Sequence, residues 1–182
     1  MDAAKTQAQA NAAKIKNDAA AGIDSDAQAA MDAIDSLDNL TSAEKQDKKD
    51  EIKATADNAK NAIYNAASPA AVESAKQQGS ADMALIQSKA EAMDGIAADA
   101  KAAKEAIDKL DNLTKAEKNV KKSEVDSAAA AAKNAVNAAA DADGINNAVQ
   151  NGQAAIAFAQ AKAVAADGVM EAAKEAKRDR CP

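Results

Sequence analysis

The feature that most constrains this chain is an internal repeat. Residues 24–96 align with residues 97–169 at a fixed offset of 73 without a gap, and 36 of the 73 pairs are identical. The strongest block contains Ala33-Ile34-Asp35, Leu37-Asp38-Asn39-Leu40-Thr41 and Ala43-Glu44-Lys45. It recurs as Ala106-Ile107-Asp108, Leu110-Asp111-Asn112-Leu113-Thr114 and Ala116-Glu117-Lys118. Gly79 recurs as Gly152, and Asp94-Gly95-Ile96 as Asp167-Gly168-Val169. One period further back, Gly95-Ile96 falls on Gly22-Ile23 and Lys89 on Lys16. Self-similarity at such a period marks a tandem array. The expected organisation is the C-terminal helix of a preceding repeat over 1–23, a first three-helix repeat over 24–96 and a second over 97–169. Residues 170–182 are either the start of a further repeat or a tail foreign to the native sequence. Met1 opens no signal peptide, and the start reads as a cut from something longer.

Within one repeat the apolar spacing is helical. A first stripe runs Ile23, Ala27, Ala30, Ile34, Leu37, and a second runs Ile52, Ala56, Ala59, Ile63, Ala66. The copy of the second is Val125, Ala129, Ala132, Val136, Ala139, and a third stripe runs Val72, Ala75, Gly79, Met83, Ile86, Ala90, Met93. Steps of three and four put each stripe on one helix face. Thr41-x-x-Glu44 and Thr114-x-x-Glu117 are capping boxes, Ser68-Pro69 reads as an N-cap followed by an N1 proline, and Asp141 is the matching cap. The helices expected in the first repeat cover 24–38, 42–66 and 69–94. No comparable signal separates the third helix from the next repeat. The stripe Met93, Ile96, Ala100, Ala103, Ile107, Leu110 continues in phase, interrupted only by Gly95, which costs roughly 1 kcal/mol relative to Ala. One shared helix of about 40 residues, near 60 Å long, is expected there. The fold class is all-α: tandem spectrin-like three-helix bundles joined by a continuous helix into an elongated, monomeric rod. Each repeat would advance it by on the order of 25 Å.

Composition narrows the chemistry. Alanine supplies 56 of the 182 residues, whereas Ile, Leu, Val and Phe together supply 23, so the core is thin. With no His there is no imidazole base and no His metal ligand. The only cysteine, Cys181, leaves no intrachain disulfide or thiolate cluster. A net charge of −6 with interleaved lysines disfavours nucleic acid, and no apolar run approaches the ~20 residues of a membrane span. The expectation is no enzyme, with no catalytic, cofactor-binding or metal-binding residues, no cofactor and no membrane insertion.

Five features are candidate sites. Lys45, Lys48 and Lys49 with Asp47 and Glu51 form the most charged patch, a ligand face or a solvated helix surface with i,i+4 support. Asp24, Asp26, Asp32 and Asp35 lack the Gly-centred loop of a calcium site and read as helix N-terminal acids complementing the dipole. Gly79 and Gly152 mark a kink, a hinge or a close helix–helix approach, and the small neighbours Ala75 and Ala81 favour close approach. Tyr64 and Phe158 do not align with each other. Arg178, Arg180 and Cys181 belong to a tail in which the stripe has ended.

Asp38-Asn39-Leu40-Thr41 between alanine-rich helices, Ala59-Lys60-Asn61-Ala62-Ile63 with its copy Ala132-Lys133-Asn134-Ala135-Val136, and the mid-helix glycine together carry a resemblance. The chain resembles the tandem domain-of-unknown-function repeats of giant cell-wall-anchored, extracellular-matrix-binding adhesins of Gram-positive bacteria. That resemblance implies an extracellular, wall-attached stalk and contact with host matrix or serum proteins through the parent adhesin, and it supplies no catalytic residues. Two functions stay open. One is a structural spacer that projects a distal binding domain, and the other is a binding module for a host serum or matrix protein. A binding module should repeat an exposed aromatic or Arg anchor. Here Tyr64 aligns with Asn137, Phe158 with Leu85, and Arg occurs only in the tail. This favours the spacer.

Overall fold

The computed structural model describes residues 2–179, and the described residues are all-helical. Five helices follow in order: α1 (Asp2–Asp35), α2 (Ser42–Asn65), α3 (Pro69–Asp108), α4 (Lys115–Ala138) and α5 (Ala142–Arg178). The chain divides into two compact units, Met1–Glu91 and Ala92–Pro182. In the first, Ile23, Ala27, Ala30 and Ile34 of α1 are buried with Ile52, Ala56, Ala59 and Ile63 of α2 and with Val72 and Met83 of α3. In the second, Ile96, Ala103 and Ile107 of α3 are buried with Val125, Ala129, Ala132 and Val136 of α4 and with Ile145, Ile156 and Ala163 of α5. Each unit is thus a three-helix arrangement closed by the stripes read from the sequence. Eight of those twenty positions are alanine, so burial is concentrated in the large side chains. Ile23, Ile34, Ile52, Ile63, Ile96 and Ile107 are all essentially inaccessible.

The helix starts follow their caps. Thr41 Oγ1 accepts the Glu44 N–H at 3.2 Å, and Glu44 accepts the Thr41 N–H at 2.8 Å. Thr114 and Glu117 repeat the exchange at 3.3 and 2.8 Å. Ser68 Oγ accepts the Ala71 N–H at 3.2 Å, and Asp141 accepts the Gly144 N–H at 2.8 Å. Each side-chain oxygen satisfies an N–H that the first turn of a helix leaves without an intrahelical partner. No cap interrupts α3, which runs through Met93, Gly95 and Ala103 as one helix of 40 residues, as the in-phase stripe predicts.

The helix ends differ from expectation. α1 stops at Asp35 and α3 at Asp108, about a turn earlier than the stripe suggests. The Leu37 N–H bonds the Ile34 carbonyl and the Leu110 N–H bonds the Ile107 carbonyl, both at 3.2 Å. These i→i−3 bonds tighten the last turn and roll the chain. Leu37 and Leu110 are left half-buried, and Leu40 and Leu113 enter the core instead.

Candidate functional site

The charged patch on α2 combines ties to α1 with an ion pair inside the helix. Lys45 Nζ donates to the backbone carbonyl of Asp35 at 3.0 Å, and Lys49 pairs with the Asp35 carboxylate at 2.7 Å. A cation is thereby placed on the negative C-terminal end of α1, where carbonyls lack intrahelical donors. The second unit repeats both ties, Lys118 to the Asp108 carbonyl at 2.9 Å and Lys122 to the Asp108 carboxylate at 2.8 Å. Lys48 is almost fully buried and reaches Glu51 at 2.7 Å, and its counterpart Lys121 reaches Glu124 at 2.8 Å. Glu124 also accepts from Lys162 of α5 at 3.2 Å. The lysine hydrogen bonds, Lys121 first and then Lys162, hold the Glu124 carboxyl below the usual carboxylate range.

The acids of α1 also have assigned tasks. Because α1 begins at Asp2, residues 24–35 lie deep in a helix and not at its N-terminus, so the dipole reading is corrected. Asp24 pairs with Lys60 at 2.9 Å, Asp26 accepts from Ser80 at 2.6 Å, and Asp32 accepts from Gln28 at 2.7 Å. Hydrogen bonds to Asp24 and then Asp57 raise the Lys60 pKa above its ordinary value. No group of three or more acidic, His or Cys side chains among the described residues is arranged to hold a metal ion. An open trough of about 490 Å³ beside α3 and α4 is lined by Lys104, Asp108, Lys122 and Asp126. Four of its charged side chains pair with one another, Lys104 with Asp126 at 2.7 Å and Lys122 with Asp108 at 2.8 Å.

The mid-helix glycines are points of close approach. A Cβ built on Gly79 would stand 2.4 Å from the Ala59 Cβ, and one on Gly152 would stand 2.4 Å from the Ala132 Cβ. Neither separation is possible, so the third helix of each unit can lie against the second only where no side chain intervenes. Gly95 and Gly168 are different, since a Cβ on either would meet nothing within 4 Å.

One polar contact has no apolar period to announce it. Asp167 of α5 accepts the backbone N–H groups of Asn112 at 2.7 Å and Leu113 at 3.0 Å, and the Asn112 side-chain amide at 3.2 Å. Lys174 completes the group by donating to Asn112 Oδ1 at 3.1 Å. Burial works against the Asp167 charge, but the Asn112 and Leu113 hydrogen bonds, helped by Lys118, outweigh it and hold the carboxyl below its usual range. The recurrence of Asp94-Gly95 as Asp167-Gly168 was the available signal in the sequence.

The family model of a Domain of Unknown Function, DUF1542, matches residues 15–90 and again residues 88–164. The chain belongs to the DUF1542 family. Each match holds one capping box, one pair of lysine ties and one close-approach glycine, so the tandem copies share a scaffold. No curated protein and no solved structure matches the chain.

What the two DUF1542 copies do not share is equally informative. Tyr64 and Phe158 are exposed, at 50% and 65%, in positions that do not correspond. Lys162 Nζ sits 5.1 Å from the Phe158 ring centroid, within cation–π range. No helix among the described residues is long and apolar enough to cross a membrane. Arg180 and Cys181 of the tail lie outside the described residues.

Proposed function

We propose that this segment is a structural spacer in a bacterial cell-surface adhesin, acting through length and stiffness to project a distal binding domain away from the cell wall. One observation carries the reading. The features common to both copies are caps, stripes, lysine ties and close-approach glycines, and all of them are occupied within the chain. A surface selected to bind a partner would instead repeat an exposed anchor, and the two exposed aromatics do not correspond. The resemblance of the repeat to those of Gram-positive adhesins supports an extracellular, wall-attached location as part of this proposal. The reading is non-catalytic, and the segment acts as a monomer within its parent.

The experiment is deletion of these repeats from the parent with the distal adhesin retained. Adhesion to host matrix should fall as the adhesin is drawn back into the wall, and should recover when an unrelated helical spacer of equal length replaces the repeats. Undiminished adhesion after deletion would end the spacer reading. Failure of the unrelated spacer to restore adhesion, together with capture of a serum or matrix protein by this fragment, would establish the binding module in its place.

A further inference from the structure

Beyond Ala163, α5 continues for fifteen residues to Arg178 without another fully buried residue. The polar group built on Asp167 and Lys174 ties this stretch to the rest of its unit. Both side chains converge on Asn112 in the turn between α3 and α4. Directly after the tie comes Gly168, whose missing Cβ would meet nothing within 4 Å. Packing therefore gives no reason for glycine there, unlike Gly79 and Gly152. A helix-interior glycine without a packing reason weakens the helix locally, because it has more backbone freedom to lose than alanine.

We propose that Asp167 and Gly168 form a latch: the carboxylate clasp on the Asn112-Leu113 turn, and not helix propensity, holds this part of α5 ordered, with Gly168 as the soft point that opens when the clasp is released. The Asp167 carboxylate faces Asn112 and Leu113 of the turn and Lys118 of α4, with Lys174 linked to it through Asn112. Charge-assisted hydrogen bonds are stronger than neutral ones, so one side chain can offset the weakness at Gly168. The inference concerns local order in α5 and stands whether or not the segment is a spacer.

Amide hydrogen exchange on the full chain tests it, with residues 145–163 of α5 as the internal control. In Asp167→Ala, exchange over residues 164–174 should accelerate ten-fold or more, with the control stretch unchanged. Gly168→Ala should slow exchange over the same residues about five-fold, the equivalent of the roughly 1 kcal/mol separating Gly from Ala in a helix. The double variant should return most of the way to the parent chain. Protection in Asp167→Ala within two-fold of the parent would overturn the latch, as would a Gly168→Ala chain that exchanges like the parent. Equal loss across residues 145–174 would also overturn it, since the clasp would then be a general stabiliser of the unit.

Discussion

Glycine does two opposite things in this chain, and substitution by alanine separates them. At Gly152 the new Cβ must displace the Ala132 Cβ, which belongs to a rigid backbone and has no rotamer to yield. Overpacking of this kind costs about 1–3 kcal/mol, more than the gain in helix propensity. Gly152→Ala should therefore lower the melting temperature, while Gly168→Ala should leave it unchanged or raise it. The same scale governs the large core residues. Ile107 is fully buried, so Ile107→Ala should cost about 2–4 kcal/mol in denaturant unfolding. Leu113→Ala should cost more than Leu110→Ala, because Leu110 is only half-buried where the chain rolls out of α3.

At the scale of elements, the caps and clasps set how the helices respond to acid. Thr114→Ala removes the oxygen that accepts the Glu117 N–H and should cost about 1 kcal/mol. Thr114 hydrogen bonds keep the Glu117 carboxyl below its ordinary value of 4.5, and the turn N–H groups keep that of Asp167 below 3.8 against the effect of burial. A carboxyl depressed in the folded state contributes stability that is fully present above its unfolded pKa and is lost as pH falls through the folded one. Thermal melts should therefore be insensitive to these groups between pH 5 and pH 7, by order of magnitude of the carboxylate range, and should fall steeply below that range. Asp167→Ala should flatten the acid limb. The caps, stripes and unbroken α3 were legible because they rest on local chemistry and on a period of 3.6. The Asp167 clasp was not, since it joins one side chain to backbone N–H groups of residues 112 and 113, and no periodicity encodes such a distant partner. The tightened turn after Ile34 and Ile107 was missed for a related reason. Leu37 continues the helical stripe, but Leu40 fills the same core after the chain has left the helix.

For the whole molecule, the spacer reading depends on what the repeat does when it is multiplied. The notable fact is the absence of a loop in α3 from Pro69 to Asp108, although the chain changes from one compact unit to the next within it. If the segment is the spacer proposed above, solution scattering on chains of one, two and four repeats should show a maximum dimension growing close to linearly, by on the order of 25 Å per repeat. Growth nearer the square root of repeat number would indicate free joints and sink the stalk. Gly95→Pro provides the matched control, because Gly95 faces open space and the substitution changes only the backbone. Proline there removes the amide donor to the preceding turn and crowds its carbonyl, which should bend the helix and shorten the maximum dimension of the two-repeat chain while leaving Ile23, Ile63 and Ile107 buried. A two-repeat chain with unchanged scattering after this substitution would mean that α3 is not what sets its length.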